Sequence, residues 1–350
     1  MTLQQLLDIE YPIVQAPMAG VQLSALAIAV SNAGGLGSLP CAMLAPDAIR
    51  KELQAIRSGT TKPYNVNFFC HPTPLPDPAR EEAWRRTLAP YYAEFGIDPA
   101  GIPSGPGRLP FSAEAADVLE EFRPPVVSFH FGLPSPALLA RVKGWGAKVL
   151  SSATTVDEAR WLEAHGVDAV IAQGLEAGGH RGMFLSEDVG TQVGTFALLP
   201  QVARAVKVPV IGAGGIADAA GIVAAMQLGA AGAQLGTAFL LCDECTTTPL
   251  HCAALKSDAA RTTALTNLFT GRPARGIVNR LLRERGPMSS VVPSFPLAAA
   301  AVTPLRAKAE AAGSGDFSPL WAGQNVSGCR ETSAGKLVRD LGQAWSESRR

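Results

Sequence analysis

An α/β fold, specifically a (β/α)8 TIM barrel with a smaller, mostly helical cap, is the class this sequence predicts. Three observations support it: apolar or β-branched runs recur eight times, helical patterns lie between most of them, and those patterns end near a glycine. Continuous apolar strands alternating with helices belong to a parallel sheet covered on both faces. Eight of them point to a closed barrel rather than an open, doubly wound sheet.

The runs follow in order. Pro12 to Ala16 leads into the helical stretch Ser24 to Ala33, and Gly35 to Leu39 and Tyr64 to Phe69 supply the second and third strands. Val126 to Phe129 and Lys148 to Ser151 come next, then a helix over Thr155 to Gly166. The sixth strand is Asp168 to Ala172, the seventh Val208 to Gly212, and the eighth Gly232 to Gly236, with a helix over Ala217 to Gly229 before the last. Two intervals break the rhythm. Residues 70 to 122, rich in proline and charge, and residues 241 to 340 are both longer than one connecting helix needs. Barrel active sites lie at the C-terminal ends of the strands, and insertions after strands three and eight roof that face. The expected division is a barrel of residues 1 to 240 and about 311 to 350, with a cap from about 241 to 310.

Composition narrows the function. The chain has 350 residues, 47% of them apolar, with 30 basic and 30 acidic side chains. Neutrality without a clustered basic face argues against nucleic acid. Apolar stretches are interrupted well short of the ~18 to 20 residues that span a bilayer, and the N-terminus lacks a signal-peptide pattern. Of six cysteines, Cys242, Cys245 and Cys252 lie near His251, but the spacing is a poor match to a zinc site, so no metal is expected. Free thiols in a reducing cytoplasm are the expectation. A homodimer is one assembly the sequence allows.

The most informative segment is QGLEAGGHRG, residues 173 to 182, where the sixth strand runs into three glycines and His180. It has the form of a strand end opened to a ligand. Gly212-Ala213-Gly214-Gly215 follows strand seven and Gln234-Leu235-Gly236-Thr237 follows strand eight. Glycines and helix N-termini there suit a phosphate, in the pair of loops where barrels usually bind one. The match to a dinucleotide-binding G-x-G-x-x-G pattern is poor.

YPIVQAPMAG (11 to 20), GGLGSL (34 to 39), NVNFF (65 to 69), QGLEAGGHRG, PVIGAGGI (209 to 216), GAQLGTAFL (232 to 240) and TGRPARGI (270 to 277) together resemble the class I nitronate monooxygenases, formerly 2-nitropropane dioxygenases. The resemblance runs from residue 11 to about Gln324. It implies non-covalent FMN and oxidation of an alkyl nitronate, such as propionate 3-nitronate, by molecular oxygen to a carbonyl compound and nitrite. It places the flavin against Ala16, Pro17 and Met18, Asn67, Gln173 and Gly178, with its phosphate at Gly214, Gly215, Gln234, Leu235, Gly236 and Thr237. His180 takes the chemical role, as a general base or as a cation binding the nitronate. His130, ending strand four, is a candidate for the substrate wall. Arg181 is either an anion-orienting group or an exposed loop arginine, and Glu176 a capping or salt-bridge carboxylate. His71 belongs to a roof or a plain turn, His165 to a solvent-facing helix end, and His251 has no supporting context.

One departure bears on the substrate. Where the family often has tyrosines and a lysine, this chain has Phe295 and an alanine run as far as Thr303. Such a wall binds a carboxylate less well. The same motifs also fit an FMN-dependent NAD(P)H:quinone reductase or an enoyl-thioester reductase, and that alternative stays open.

Overall fold

The computed structural model describes residues 2–102 and 108–348. Eight parallel strands form one sheet: Ile13–Gln15, Gly37–Pro40, Tyr64–Phe69, Val126–His130, Lys148–Ala153, Ala169–Gln173, Val210–Ala213 and Gly232–Leu235. From the second strand to the eighth each pairs with its sequence neighbours, and the eighth pairs with the first, Ala233 opposite Ile13. A bridge between Val14 and Leu36 joins strand one to the approach of strand two, so the sheet closes into a TIM barrel. The eight expected runs all lie in the barrel, their ends shifted by no more than two residues.

Helices cover the outside because the strands are apolar on both faces. A large cluster joins outward strand residues such as Val66, Val127, Val149 and Val170 to helix residues Leu53, Leu119, Leu162 and Leu199. A second set, Val14, Leu36, Val126, Leu150, Ala169 and Ile211, packs with Leu3 and Leu7 of the N-terminal helix Leu3–Leu7. Burying each such side chain is worth about 1.5 to 3 kcal/mol. The C-terminal helix Ala334–Glu347 packs beside Ser24–Asn32 and Ala219–Gln227 and buries Leu337, Val338 and Leu341 against them.

Both long insertions feed one further core. Helix Pro78–Phe95, after strand three, packs against helix Ala299–Ala311, after strand eight, and places Trp84, Leu88, Tyr91 and Tyr92 among Leu281, Val302, Leu305 and Phe317. The Tyr92 hydroxyl donates to the Ala301 carbonyl at 2.7 Å, which satisfies its one buried polar atom. This region is less purely helical than expected. Thr263–Thr266 and Ala274–Ile277 form an antiparallel hairpin, extended by the two residues Gly179–His180. The small sheet was illegible because its third strand is too short to show a period.

Trp84 is fully buried where the two insertions meet. Trp84→Ala is expected to cost about 3 to 5 kcal/mol of stability, the usual range for emptying a large aromatic site. Urea denaturation of the two proteins measures it, and a loss below about 1 kcal/mol would show that this core is not cooperative with the barrel.

Candidate active site

At the C-terminal end of the barrel the strand ends and the cap enclose one deep cavity. Its first wall is the turn Ala16-Pro17-Met18. Gln15 and Gln22, both buried, shape it: Gln15 Nε2 donates to the Ala16 carbonyl and to Gln22 Oε1, and Gln22 Oε1 also accepts from the Met18 N–H at 3.1 Å. Gln22 Nε2 then donates to the Ser38 carbonyl, tying the turn across the barrel seam. The polar belt continues to strands three and four. Asn65 Nδ2 reaches the hydroxyls of Ser38 and Ser128 at 3.0 and 2.9 Å, and Asn67 Nδ2 donates to Ser128 Oγ at 2.9 Å. Asn67 lines the cavity.

The strand-six loop folds back on its own strand. Gly178 and Gly179 turn the chain, and Gly178 packs so closely on the segment around Gly323 that a Cβ there would lie 2.5 Å from the Gly323 nitrogen. The returning segment docks on Gln173, whose Nε2 donates to the His180 carbonyl at 3.0 Å and whose Oε1 accepts from the Gly182 N–H at 2.7 Å. Arg181 is fully buried and donates to the carbonyls of Gln173 and Gly174 at 2.6 and 2.7 Å. It is neither an anion-orienting group nor an exposed loop arginine, because strand-end carbonyls take up its fork. Glu176 caps the helix Thr195–Ala205, accepting from the N–H and hydroxyl of Thr195 at 2.8 Å each.

His180 sits in the small sheet opposite Ala274. Its Nε2 meets Thr270 Oγ1 at 2.9 Å. The rings of Phe295, Trp321, Phe131 and Phe69 surround it at centroid distances of 5.4 to 6.1 Å. His130 stands beside it with both ring nitrogens engaged. Its Nε2 lies 3.2 Å from the His180 carbonyl, which can only accept, so that nitrogen carries the proton and Nδ1 accepts from Ser152 Oγ at 3.0 Å. Burial, then the nearby cations Arg108 and Arg272, hold His180 well below its ordinary value, and burial pushes His130 down to about 4. His180 is therefore neutral near pH 7. Of the two roles open from the sequence, this form suits the base.

The far wall is built from the glycine turns. Gly214 and Gly215 adopt φ of +114° and +71°, a backbone that residues with a Cβ rarely take, and both line the cavity with Gln234, Gly236 and Thr237. The helix after strand seven begins only at Ala219, and the Asp218 side chain already accepts from the Gly221 N–H. Its N-terminus is thus partly met by the chain's own carboxylate, and the loop glycines line the cavity together with Thr237, which opens the short turn Thr237–Phe239.

Ala16, Pro17, Met18, Asn67, His130, Gln173, Gly178, His180, Gly214, Gly215, Gln234, Gly236 and Thr237 all meet on this cavity. Leu235 does not. Its side chain points into the outer core beside Ile13 and Leu26, and its carbonyl accepts from the Ala16 N–H at 2.8 Å. Among the lining residues outside the sequence reading of the site are Arg108, His251, Trp321 and Asn325. Asn325 Nδ2 donates to the Gly215 carbonyl at 2.9 Å, and Gly323 N–H donates to Thr237 Oγ1 at 2.9 Å, so residues 319 to 325 are sewn to the strand-seven and strand-eight loops. His71 packs edge-on against Phe295 at 4.8 Å, whereas His165 is exposed and stacks on Trp161. The six cysteines are unpaired thiols.

A family model described as nitronate monooxygenase matches residues 1–344. The chain belongs to the nitronate monooxygenase family. It is 44% identical over 346 residues to a nitronate monooxygenase of Pseudomonas aeruginosa, covering 96% of this chain and 97% of that one. Among solved structures it resembles a nitroalkane oxidase from Streptomyces ansochromogenes, with a TM-score of 0.89, 42% identity and 99% and 98% of the two chains covered. It also resembles FabK from Thermotoga maritima, at a TM-score of 0.72 and 29% identity, over 99% and 97%. This family member thus carries its histidine on a loop clamped from both sides.

Burial lowers four histidines from 6.5: His71, His130 and His251 to about 4, and His180 well below its ordinary value. Between about pH 4 and 6.5 the unfolded chain therefore binds more protons than the folded one. Stability present above pH 6.5 is lost as the pH falls towards 4. The urea midpoint is expected to drop across that window, and His71→Phe to flatten the drop by about one proton's worth of slope. A midpoint independent of pH between 7 and 4.5 contradicts the assignment.

Proposed function

We propose that the protein oxidises alkyl nitronates with molecular oxygen, releasing a carbonyl compound and nitrite, and that it does so with FMN held non-covalently in the cavity. The observation that carries this reading is the placing of a neutral His180 on the wall of a cavity shared with the strand-seven and strand-eight glycine turns, in a chain 44% identical to a nitronate monooxygenase.

The residues present fit such a cofactor. Gln234 Oε1 is buried on the wall without a donor among the described residues, and Gly214 and Gly215 line the cavity with main chain alone, both at positive φ. Buried acceptors without partners are costly unless a ligand supplies the donor. Ala16, Pro17, Met18, Asn67 and Gly178 would lie along the ring system, and Gly214, Gly215, Gln234, Gly236 and Thr237 around the phosphate, with Leu235 contributing main chain alone. Gln173 acts one step back, holding the histidine loop. When bound, FMN supplies the electron acceptor.

The chain's own residues do the rest. Neutral His180 accepts the α-proton of a nitroalkane that enters uncharged, or contacts the nitronate directly. Arg108 and Arg272, which depress its proton affinity, also make the surroundings favourable to an anion. Phe69, Phe131 and Phe295 keep water from the reacting carbon. We assign residues 1 to 240 and about 311 to 350 to cofactor binding, and about 241 to 310, joined by Pro78–Phe95, to the substrate cap. No helix among the described residues is long and apolar enough to cross a membrane. The unpaired thiols support a reducing cytoplasm as the compartment.

Purified protein is expected to show flavin absorbance that bleaches under anaerobic conditions on adding a nitronate and not on adding NADH. Bleaching by NADH alone would move the chain to the reductase reading that the likeness to FabK keeps in view. His180→Asn is expected to retain bound flavin and lose about 10²- to 10⁴-fold in kcat/KM with a neutral nitroalkane, the usual worth of a positioned base. Undiminished turnover would remove His180 from the mechanism.

A further inference from the structure

One buried acid stands apart from the cavity lining. Glu158, in the first turn of helix Val156–Ala164 after strand five, is 1% exposed and is the only buried carboxylate among the described residues. Each of its oxygens takes two donors. The Thr154 N–H and hydroxyl reach Oε2 at 2.7 Å each, and the N–H groups of Phe184 and Leu185 reach Oε1 at 2.6 and 3.2 Å. These fill the acceptor sites of a carboxylate, and a carboxylate removed from water persists only where they are met.

Those partners lead to His180 by two routes. Along the main chain, Phe184 and Leu185 end the segment that leaves His180. Within that segment the Met183 carbonyl accepts from Arg272, and Gly182 packs so tightly that a Cβ there would lie 2.9 Å from both His130 Cε1 and Ser152 Cβ. Through side chains, the Thr154 hydroxyl gives its proton to Glu158 and accepts from Gln192 Nε2 at 3.0 Å, while Gln192 Oε1 accepts from Arg181 Nε at 3.0 Å. Every donor in that chain points from the arginine towards the carboxylate, and bonds aligned in this way strengthen one another in a low dielectric. Burial lowers Arg181 to about 10, with Arg275 adding to the fall, and Glu176 and Glu158 oppose it. Glu158 is thus a counter-charge to Arg181 at one remove.

We infer that Glu158 is a positioning residue for His180: it sets Arg181 on one side of the histidine's backbone and fixes Phe184 and Leu185 on the other, and so determines where the imidazole stands in the cavity. The inference rests on the role given to His180 in the nitronate reading. Glu158 itself touches neither the cavity nor the reacting atoms.

The test compares the flavin-loaded wild type with Glu158→Gln, which keeps the size and one acceptor oxygen but turns an amide N–H2 against donors. Both are measured below their unfolding midpoints and per bound flavin, so that lost protein or lost FMN does not count. Glu158→Gln is expected to lower kcat/KM for ethyl nitronate about 10- to 100-fold, the scale of a misplaced reacting group. A second readout needs no turnover. The proton resonance at His180 Cε1, identified by its loss in His180→Asn, is shifted by the four aromatic rings around it and moves with the imidazole. It is expected to move in Glu158→Gln while that of exposed His165 stays. An unmoved His180 resonance, or equal turnover per flavin, overturns the inference. If wild type does not oxidise the nitronate, the proposed function fails, and the resonance alone decides for Glu158. Should Glu158→Gln not fold, Gln192→Leu, which cuts the bridge to Arg181, is judged by the same two readouts.

Discussion

Everything at this site depends on how the chain after strand six is bent back and clamped. A loop of glycines is free to take many shapes, and fixing one requires that its polar groups be met. Here Gln173 receives the returning segment, Arg181 occupies the strand-end carbonyls, and His130 holds the carbonyl of His180 from the side. The pairing of Gly179–His180 with Ala274–Ile277 adds main-chain bonds from the cap. His180 thus belongs to the barrel through its carbonyl and to the cap through its ring, and Thr270 ties that ring down.

A buried cation among carbonyls and a buried amide network below the cavity are unusual places to store polarity. They persist because nearly every atom in them is paired, and in a low dielectric each such bond is stronger than in water. The belt from Gln15 through Ser38, Asn65 and Ser128 to Asn67 crosses four strands inside the barrel, directly under the cavity. Apolar packing holds the opposite end of the barrel, where Leu3 and Leu7 join the interior. The two ends do different work: one supplies stability, the other orients donors and acceptors.

Much of this was legible in the sequence. Eight strands announced themselves because a buried parallel strand is a continuous apolar run. The glycine turns after strands seven and eight did so because close main-chain approach leaves few other residues. Leu235 was placed too generously, since the alternation of a strand end turns every second side chain outward. Arg181 was misjudged because nothing local marks an arginine as buried; its partners are carbonyls, which every sequence has. Arg108, His251, Trp321 and Asn325 come from segments without periodic pattern, and reach the cavity only through packing of the two insertions. Their signal is tertiary.

The shared core of the insertions also has a temporal side. Trp84 and Tyr92 from one insertion close on Val302, Leu305 and Phe317 from the other, partners more than 200 positions apart along the chain. Contacts of that separation cannot form until the intervening barrel strands have been made, and they carry a large loop-closure entropy. During synthesis the strands, and even the glycine turns, are available well before the pocket's roof. The histidine loop, which needs residues 270 to 277 for its second clamp, acquires its working shape among the last parts of the molecule to do so.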